Sequence, residues 1–211
     1  MYQEKYLIRR IVKPLIGFFK RTNISAEELT LFRIAVGFFT AFVLLQGVYI
    51  LSLMTIIIYQ LVLLLDLVDG SIARYRNSFK ISWVYVDLMM HQFLSFLFLF
   101  VITISYYSKT DSLFFLLTGF IACSFLLLNN IFNKKSPLES WKKIHKDPKK
   151  HKTGKFSNLK VFIKIERPLG LFFILIMLNL HKILIISYSI IYFVGAIYKF
   201  YSEFKSLENE K

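Results

Sequence analysis

Three aspartates and a histidine lie close together inside otherwise apolar segments: Asp66, Asp69, Asp87 and His91. A charged side chain at the centre of a bilayer-spanning helix costs roughly 2.5–3.5 kcal/mol, so carboxylates in such segments are candidates for a functional site. Residues three or four apart share one face of a helix. Asp66 and Asp69 therefore share one helix face, and Asp87 and His91 share a face of the next helix.

These two helices are expected to be antiparallel neighbours joined by a short loop, so that their acidic faces converge at one end. Converging carboxylates need a cation, and hard oxygen ligands favour Mg²⁺, Mn²⁺ or Ca²⁺. Gly70 and Ala73 leave open space beside the acids, and the guanidinium of Arg74 suits a phosphate group. Two divalent ions among carboxylates beside an arginine indicate phosphoryl transfer. The alternative is that the aspartates only form ion pairs with Arg33, Arg74 or Arg76.

The elements that would position these residues are long apolar runs. Hydrophobic residues make up 56% of the 211 residues and charged residues 19%, against about 45–50% and about 25% in soluble domains. The single cysteine, Cys123, excludes a disulfide scaffold. We expect an all-α integral membrane protein with six transmembrane helices, because a span needs about 20 apolar residues. The candidate spans are Leu29–Ile50, Leu51–Asp69, Ser82–Tyr107, Ser112–Phe132, Pro168–Leu180 and Lys182–Phe200.

Ahead of the first span, Tyr6–Arg21 mixes large apolar residues with lysine and arginine. This pattern is typical of an N-terminal amphipathic helix that lies in the headgroup plane of a membrane, although Pro14 interrupts it. The chain is then a single membrane domain. Its parts are a cytoplasmic interfacial helix (1–28), four spans with the acidic cluster at 66–91 (29–132), a basic cytoplasmic loop (133–167), two spans (168–200) and a cytoplasmic tail (201–211).

The basic residues are concentrated in three segments. Residues 1–21, 70–81 and 133–167 contain six, three and twelve lysines and arginines, or 21 of the 27 in the chain. Basic loops stay on the cytoplasmic side, so we expect a multi-pass protein of the cell (inner) membrane with both termini in the cytoplasm. The formal net charge of +14 is then an orientation signal that meets anionic lipid headgroups. It does not argue for nucleic acid as a partner.

The stretch from Asp66 to His91 resembles the signature of the CDP-alcohol phosphotransferases, D-x2-D-G-x2-A-R-x8-G-x3-D-x3-D. Six of its eight fixed positions are present at matching spacing: Asp66, Asp69, Gly70, Ala73, Arg74 and Asp87. Trp83 replaces the second glycine, and His91 replaces the fourth aspartate. Upstream, Leu29–Arg33 is similar to the entry of the family's first helix. With the six spans and the amphipathic helix, the resemblance covers nearly the whole chain.

The resemblance implies a transferase that synthesises phospholipids. Such enzymes displace CMP from a CDP-linked donor, usually CDP-diacylglycerol, by attack of an acceptor alcohol on the phosphate nearer the lipid. The implied cofactors are two divalent ions, Mg²⁺ or Mn²⁺, and such folds often form homodimers. The implied metal ligands are Asp66, Asp69, Asp87 and His91. The implied CDP-binding residues are Asp66, Gly70, Ala73 and Arg74.

Two further roles follow from the resemblance. Asp87 and His91 would be catalytic, with His91 at the position of the base that accepts the proton of the acceptor hydroxyl. Arg167, which precedes the fifth span, is a candidate for binding a phosphorylated acceptor. Two other functions stay open: a catalytically silent relative that acts as a membrane scaffold or regulatory subunit, and a small channel or transporter. The channel is disfavoured because the acids lie at one membrane face.

Overall fold

The computed structural model describes residues 13–76, 80–131 and 170–208, and every element in these ranges is helical. Residues 13–21 form α1. The other helices are α2 (Ala26–Leu45), α3 (Tyr49–Tyr75), α4 (Ile81–Thr110), α5 (Leu113–Ile131), α6 (Leu171–Met177) and α7 (His181–Glu208). The expected all-α fold is therefore confirmed for the described residues. Outside the described residues lie the first part of the predicted interfacial helix and the basic loop 133–167, which includes Arg167.

The helix ends have identifiable local causes. Ser25 and Glu28 form a capping box at the start of α2, in which the Glu28 amide donates to Ser25 Oγ (3.2 Å) and the Ser25 amide donates to Glu28 Oε2 (2.7 Å). Gly47 has a φ of +68° in the turn between α2 and α3, a conformation that glycine adopts without strain. The α3 helix continues to Tyr75, beyond the predicted end at Asp69, so the whole Asp66–Arg74 motif is helical.

Three of the helices are long and apolar enough to cross a membrane. These segments are Ala26–Leu45, Tyr85–Thr110 and His181–Ser202, with 20, 26 and 22 residues. A rise of 1.5 Å per residue gives the shortest of them a length of about 30 Å, which is the thickness of the hydrocarbon core. Two shorter apolar segments, Tyr49–Gln60 and Leu113–Asn129, lie in α3 and α5.

The outward faces of the helices are apolar, and the inward faces carry several small polar side chains. On α2, for example, Phe38, Phe39 and Phe42 are exposed, whereas Thr40 is buried and donates to the carbonyl oxygen of Val36 (2.8 Å). This distribution is the reverse of that in a water-soluble protein, where large exposed apolar patches are rare. It suits helices surrounded by lipid, whose polar groups face the interior of the bundle.

The α2 helix lies at the centre of one half of the bundle and packs against both α3 and α4. The α4 and α5 helices pack as a hairpin, and α5 packs against α7. The expectation that α3 and α4 are neighbours agrees with a contact in the core, where the rings of Tyr59 on α3 and Phe98 on α4 pack edge to face with their centroids 4.9 Å apart. The α2 helix also packs closely on α4, because Gly37 lets its backbone approach Leu94.

The α1 helix is attached to the end of α3 that carries the acidic motif. Its half-buried side chains Leu15, Ile16 and Phe19 pack against a small core of Leu29, Val68 and Ile72. The guanidinium of Arg76 donates to the carbonyl oxygens of Ile24 (2.7 Å), Phe19 (3.3 Å) and Thr22. Arg76 therefore caps the C-terminal end of α1, where carbonyl groups have no partner within the helix.

Candidate functional site

The carboxylate of Asp69, a predicted site residue, accepts hydrogen bonds from α2 and from its own helix. It is half-buried near the C-terminal end of α3, and its Oδ2 accepts a hydrogen bond from the Thr30 hydroxyl of α2 (3.0 Å). The same hydroxyl lies 3.1 Å from the carbonyl oxygen of Ala26. The backbone amide of Gly70 donates to Oδ1 of Asp69 (2.5 Å). Hydrogen bonds to both carboxylate oxygens fix the direction of the side chain.

Asp87 and His91 lie on one face of α4, as predicted, and both contact Arg33 of α2. One terminal nitrogen of Arg33, Nη2, donates to Oδ1 of Asp87, and the other, Nη1, is 2.7 Å from Nε2 of His91. The Arg33 side chain is 2% exposed, whereas that of Asp87 is 33% exposed. The planar guanidinium thus places both of its terminal nitrogens on α4 acceptors, a geometry that a lysine cannot reproduce.

These contacts define which ring nitrogen of His91 carries a proton. A guanidinium can only donate hydrogen bonds, so Nε2 of His91 must accept the one from Arg33. The ring is then neutral, with its proton on Nδ1. The 3.6 Å separation between Nε2 and Oδ1 of Asp87 is consequently no hydrogen bond, because neither atom has a proton to share. With this contact in place, the Nε2 lone pair is occupied.

The α2 helix is what brings the two halves of the predicted site to one end of the bundle. Thr30 and Arg33 are three residues apart, and both are buried. Thr30 reaches the acidic end of α3, and Arg33 reaches the first turns of α4. An ion pair between Lys80, just before α4, and Glu27 of α2 (2.8 Å) adds a contact at the same end. The α2 helix therefore contacts both halves of the predicted site.

The other predicted residues are placed as follows. Gly70 is exposed and Ala73 is half-buried on the last turns of α3, and the open space expected beside Asp69 stays a prediction. Asp66 and Arg74 lie on the same helix, but their side chains are outside the described part of the structure. Trp83, at the position of the second signature glycine, is half-buried in the first turn of α4. Arg167 is outside the described residues.

The two halves of the predicted site, one on α3 and one on α4, differ in how well they suit a divalent cation. Among them, no group of three histidine, cysteine, aspartate or glutamate residues is arranged to hold a metal ion. Asp69 supplies hard oxygen ligands of the kind that Mg²⁺ and Mn²⁺ prefer, and its presumed companion Asp66 is one helical turn away. At Asp87 and His91 an ion does not fit this arrangement, since the guanidinium of Arg33 already contacts both side chains. The expectation of two ions stays a prediction.

Arg33 and Thr30 are the functional residues that sequence reasoning underestimated. The sequence named Arg33 as one alternative ion-pair partner and placed both residues in the stretch Leu29–Arg33 that resembles the family's first helix, but it gave neither a role in the site. A signal was available, since an arginine inside the first apolar span is as costly as an aspartate there. Its spacing of three residues from Thr30 also predicts that both lie on one helix face.

No protein-family model matches the chain, and no curated protein matches it significantly. The functional assignment therefore starts from the residues and contacts given above.

Proposed function

We propose that this protein is a membrane-bound CDP-alcohol phosphotransferase. It transfers a phosphatidyl or phospho-alcohol group from a CDP-linked donor, of the CDP-diacylglycerol type, to an acceptor alcohol and releases CMP. The single observation that carries the proposal is the pattern of Asp66, Asp69, Gly70, Ala73, Arg74 and Asp87 at the family's spacing. The location of Asp69 and Asp87 at one end of a helical bundle supports it.

The proposed arrangement in the membrane has six spans, with both termini and the site on the cytoplasmic side of the inner membrane. Two of the basic segments adjoin the site end: residues 13–21 pack beside Ile72, and residues 70–81 connect α3 to α4. The turn between α2 and α3 lies at the opposite end, where Lys109 donates to the carbonyl oxygen of Gly47. Basic segments on the site side support a cytoplasmic orientation.

The residues of this chain have the following roles in the proposed reaction. Gly70 and Ala73 leave space for the nucleotide beside Asp69, and Arg74 pairs with a donor phosphate. The acceptor hydroxyl attacks the phosphorus nearer the lipid, and CMP leaves with the electron pair of the broken phosphoanhydride bond. A divalent ion at Asp66 and Asp69, when bound, neutralises phosphate charge. For His91 to take the hydroxyl proton at Nε2, Arg33 must first release that nitrogen.

The proposal is tested by CMP release from CDP-diacylglycerol. Purified protein is given Mg²⁺ or Mn²⁺ and a panel of alcohols, and CMP is quantified. We expect CMP release by the wild type and a loss of at least about 100-fold in Asp69→Asn, because an amide is a poor substitute for a metal-binding carboxylate. The matched control is Asp111→Asn at the other end of α4, where the left-handed backbone (φ 48°) suits asparagine. Equal activity in wild type and Asp69→Asn would contradict the proposal.

A second candidate function is favoured by the Arg33 contacts. A guanidinium that occupies both Asp87 and His91 suits a catalytically silent relative that acts as a scaffold or regulatory subunit. In that case the wild type releases no CMP with any alcohol. The double variant His91→Asp with Trp83→Gly, which restores both signature positions, would then gain the activity. CMP release by the wild type excludes this second candidate.

A further inference from the structure

We propose that Arg33 takes the place of one divalent cation, so that Asp87 and His91 bind this guanidinium and the site holds a single ion at Asp66 and Asp69. The claim that Arg33 occupies Asp87 and His91 depends only on the contacts of Arg33. The claim that one ion binds at Asp66 and Asp69 rests on the proposed function. The inference departs from the two-ion arrangement that the sequence resemblance implies.

The first argument is the position of Arg33. It is the one charged side chain among the buried residues that the structure describes, and it is 2% exposed. A buried charge is tolerated when it is paired and hydrogen-bonded. Asp87 provides the opposite charge, and His91 accepts a second hydrogen bond. Both acceptors come from the pair of residues that would otherwise hold a metal ion.

The second argument is the number of lone pairs. An imidazole that accepts from Arg33 at Nε2 has no second lone pair on that nitrogen, and its other nitrogen carries the ring proton. It cannot bind a metal ion through either nitrogen while this contact exists. An ion beside Asp87 would also face the positive charge of Arg33 at close range, which is unfavourable in a partly desolvated site.

The third argument is the change of formal charge relative to the signature. Neutral His91 stands where the signature has a fourth aspartate, and Arg33 brings one positive charge to Asp87. Compared with a site that has the fourth carboxylate and no arginine, these two differences add two positive charges, which is the charge of one divalent ion. The replacement of that carboxylate by His91 and the contact of Arg33 are therefore complementary changes.

The proposal is tested by counting Mn²⁺ ions on the full chain purified in detergent, with free Mn²⁺ measured by electron paramagnetic resonance. We expect about one Mn²⁺ per wild-type chain and none in Asp69→Asn. Asp111→Asn should bind as the wild type does. Arg33→Met with Asp87→Leu, which removes the pair without leaving a charge, should keep about one ion, because Asp87 is not a ligand.

A gain of binding provides the sharper test. Arg33→Met with His91→Asp removes the guanidinium and restores the fourth carboxylate, so it should bind about two Mn²⁺ ions. Its thermal midpoint should rise with added Mn²⁺ by more than that of the wild type. If the double variant does not fold, the wild-type count and the count on Arg33→Met with Asp87→Leu still decide the question.

Some outcomes would overturn the proposal. Two ions on the wild type, no ion on the wild type, or a lost ion in the Arg33→Met with Asp87→Leu variant would each do so. The proposed function is assessed separately by CMP release. A wild type that binds one ion and releases no CMP would keep the assignment of Arg33 and refute the transferase. A wild type that binds two ions and releases CMP would support the transferase and refute the assignment of Arg33.

Discussion

Arg33 makes the most extensively buried polar contacts of the candidate site. Its guanidinium links α2 to Asp87 and His91 on α4, and it is nearly inaccessible to solvent. In such a position, removal of one partner is more damaging than removal of both, because a lone buried charge is left without compensation. At Asp69, the Thr30 hydroxyl and the Gly70 backbone amide each donate a hydrogen bond to the carboxylate.

A double-mutant cycle on Arg33 and Asp87 should show this coupling. We expect Arg33→Met to lower the free energy of unfolding by about 3 kcal/mol, the lower part of the range for a broken buried pair, because Asp87 is partly exposed. Arg33→Met with Asp87→Leu should cost clearly less than the sum of the single variants. The measurement is reversible unfolding by SDS in metal-free buffer. Strict additivity would show that the two side chains do not interact.

The site could be predicted from the sequence in part. The shared face of Asp87 and His91 followed from their spacing, because a helix repeats every 3.6 residues. The contact of Arg33 with Asp87 joins residues 54 positions apart, and no periodic pattern encodes such a contact. The short connection between α3 and α4 did predict that these helices are neighbours, and the contact of Tyr59 with Phe98 agrees with this.

At the scale of the helices, small residues determine how closely they approach. A Cβ atom on Gly37 would lie 2.8 Å from Cδ1 of Leu94, the flexible end of a side chain. A Cβ atom on Gly119 of α5 would overlap Thr103 of α4 and come within 2.8 Å of its Cβ, which cannot move without the backbone. The hydroxyl of Thr103 is also held by the carbonyl oxygen of Leu99 (2.8 Å). The α4–α5 contact is therefore the less adaptable of the two.

Gly119→Ala should separate α4 from α5 and destabilise the protein by about 2 kcal/mol, as expected when a close-packed interior is overfilled. Gly37→Ala should cost less, because Leu94 can change its rotamer. The control is Gly17→Ala in α1, where a new Cβ meets nothing within 4 Å and alanine favours the helix. Thermal midpoints of the three variants in detergent give the comparison. An unaffected Gly119→Ala protein would mean that the helices are not in close contact there.

At the scale of the whole molecule, polar contacts are separated between the two ends of the bundle. One end has the carboxylates, the Glu27–Lys80 ion pair and the cap of α1 by Arg76. The other end has the contact of Lys109 with Gly47 and the hydrogen bond from the Tyr49 hydroxyl to the carbonyl oxygen of Met177 (2.6 Å). The helices between them have apolar outward faces. This separation suits the orientation in a membrane that is proposed above.

The orientation can be measured with single cysteine reporters. His145→Cys, in the basic loop, should react with a membrane-impermeant maleimide only in inverted vesicles, because basic loops remain in the cytoplasm. Thr110→Cys, at the opposite end of α4, is the matched reporter and should react only in intact cells. The native Cys123 is 2% exposed and contributes little background. Labelling of both reporters from the same side would contradict the proposed arrangement.

The distance in sequence between Arg33 and its partners also affects how the chain is made. The α2 helix is synthesised before α4, so Arg33 enters the translocation machinery about 54 residues ahead of Asp87. In a chain that ends before α4, Arg33 has no Asp87 to pair with, and a charged side chain in a bilayer-spanning helix is costly. We therefore expect the segment Ala26–Leu45 to integrate less stably in such a truncated chain than in the full one.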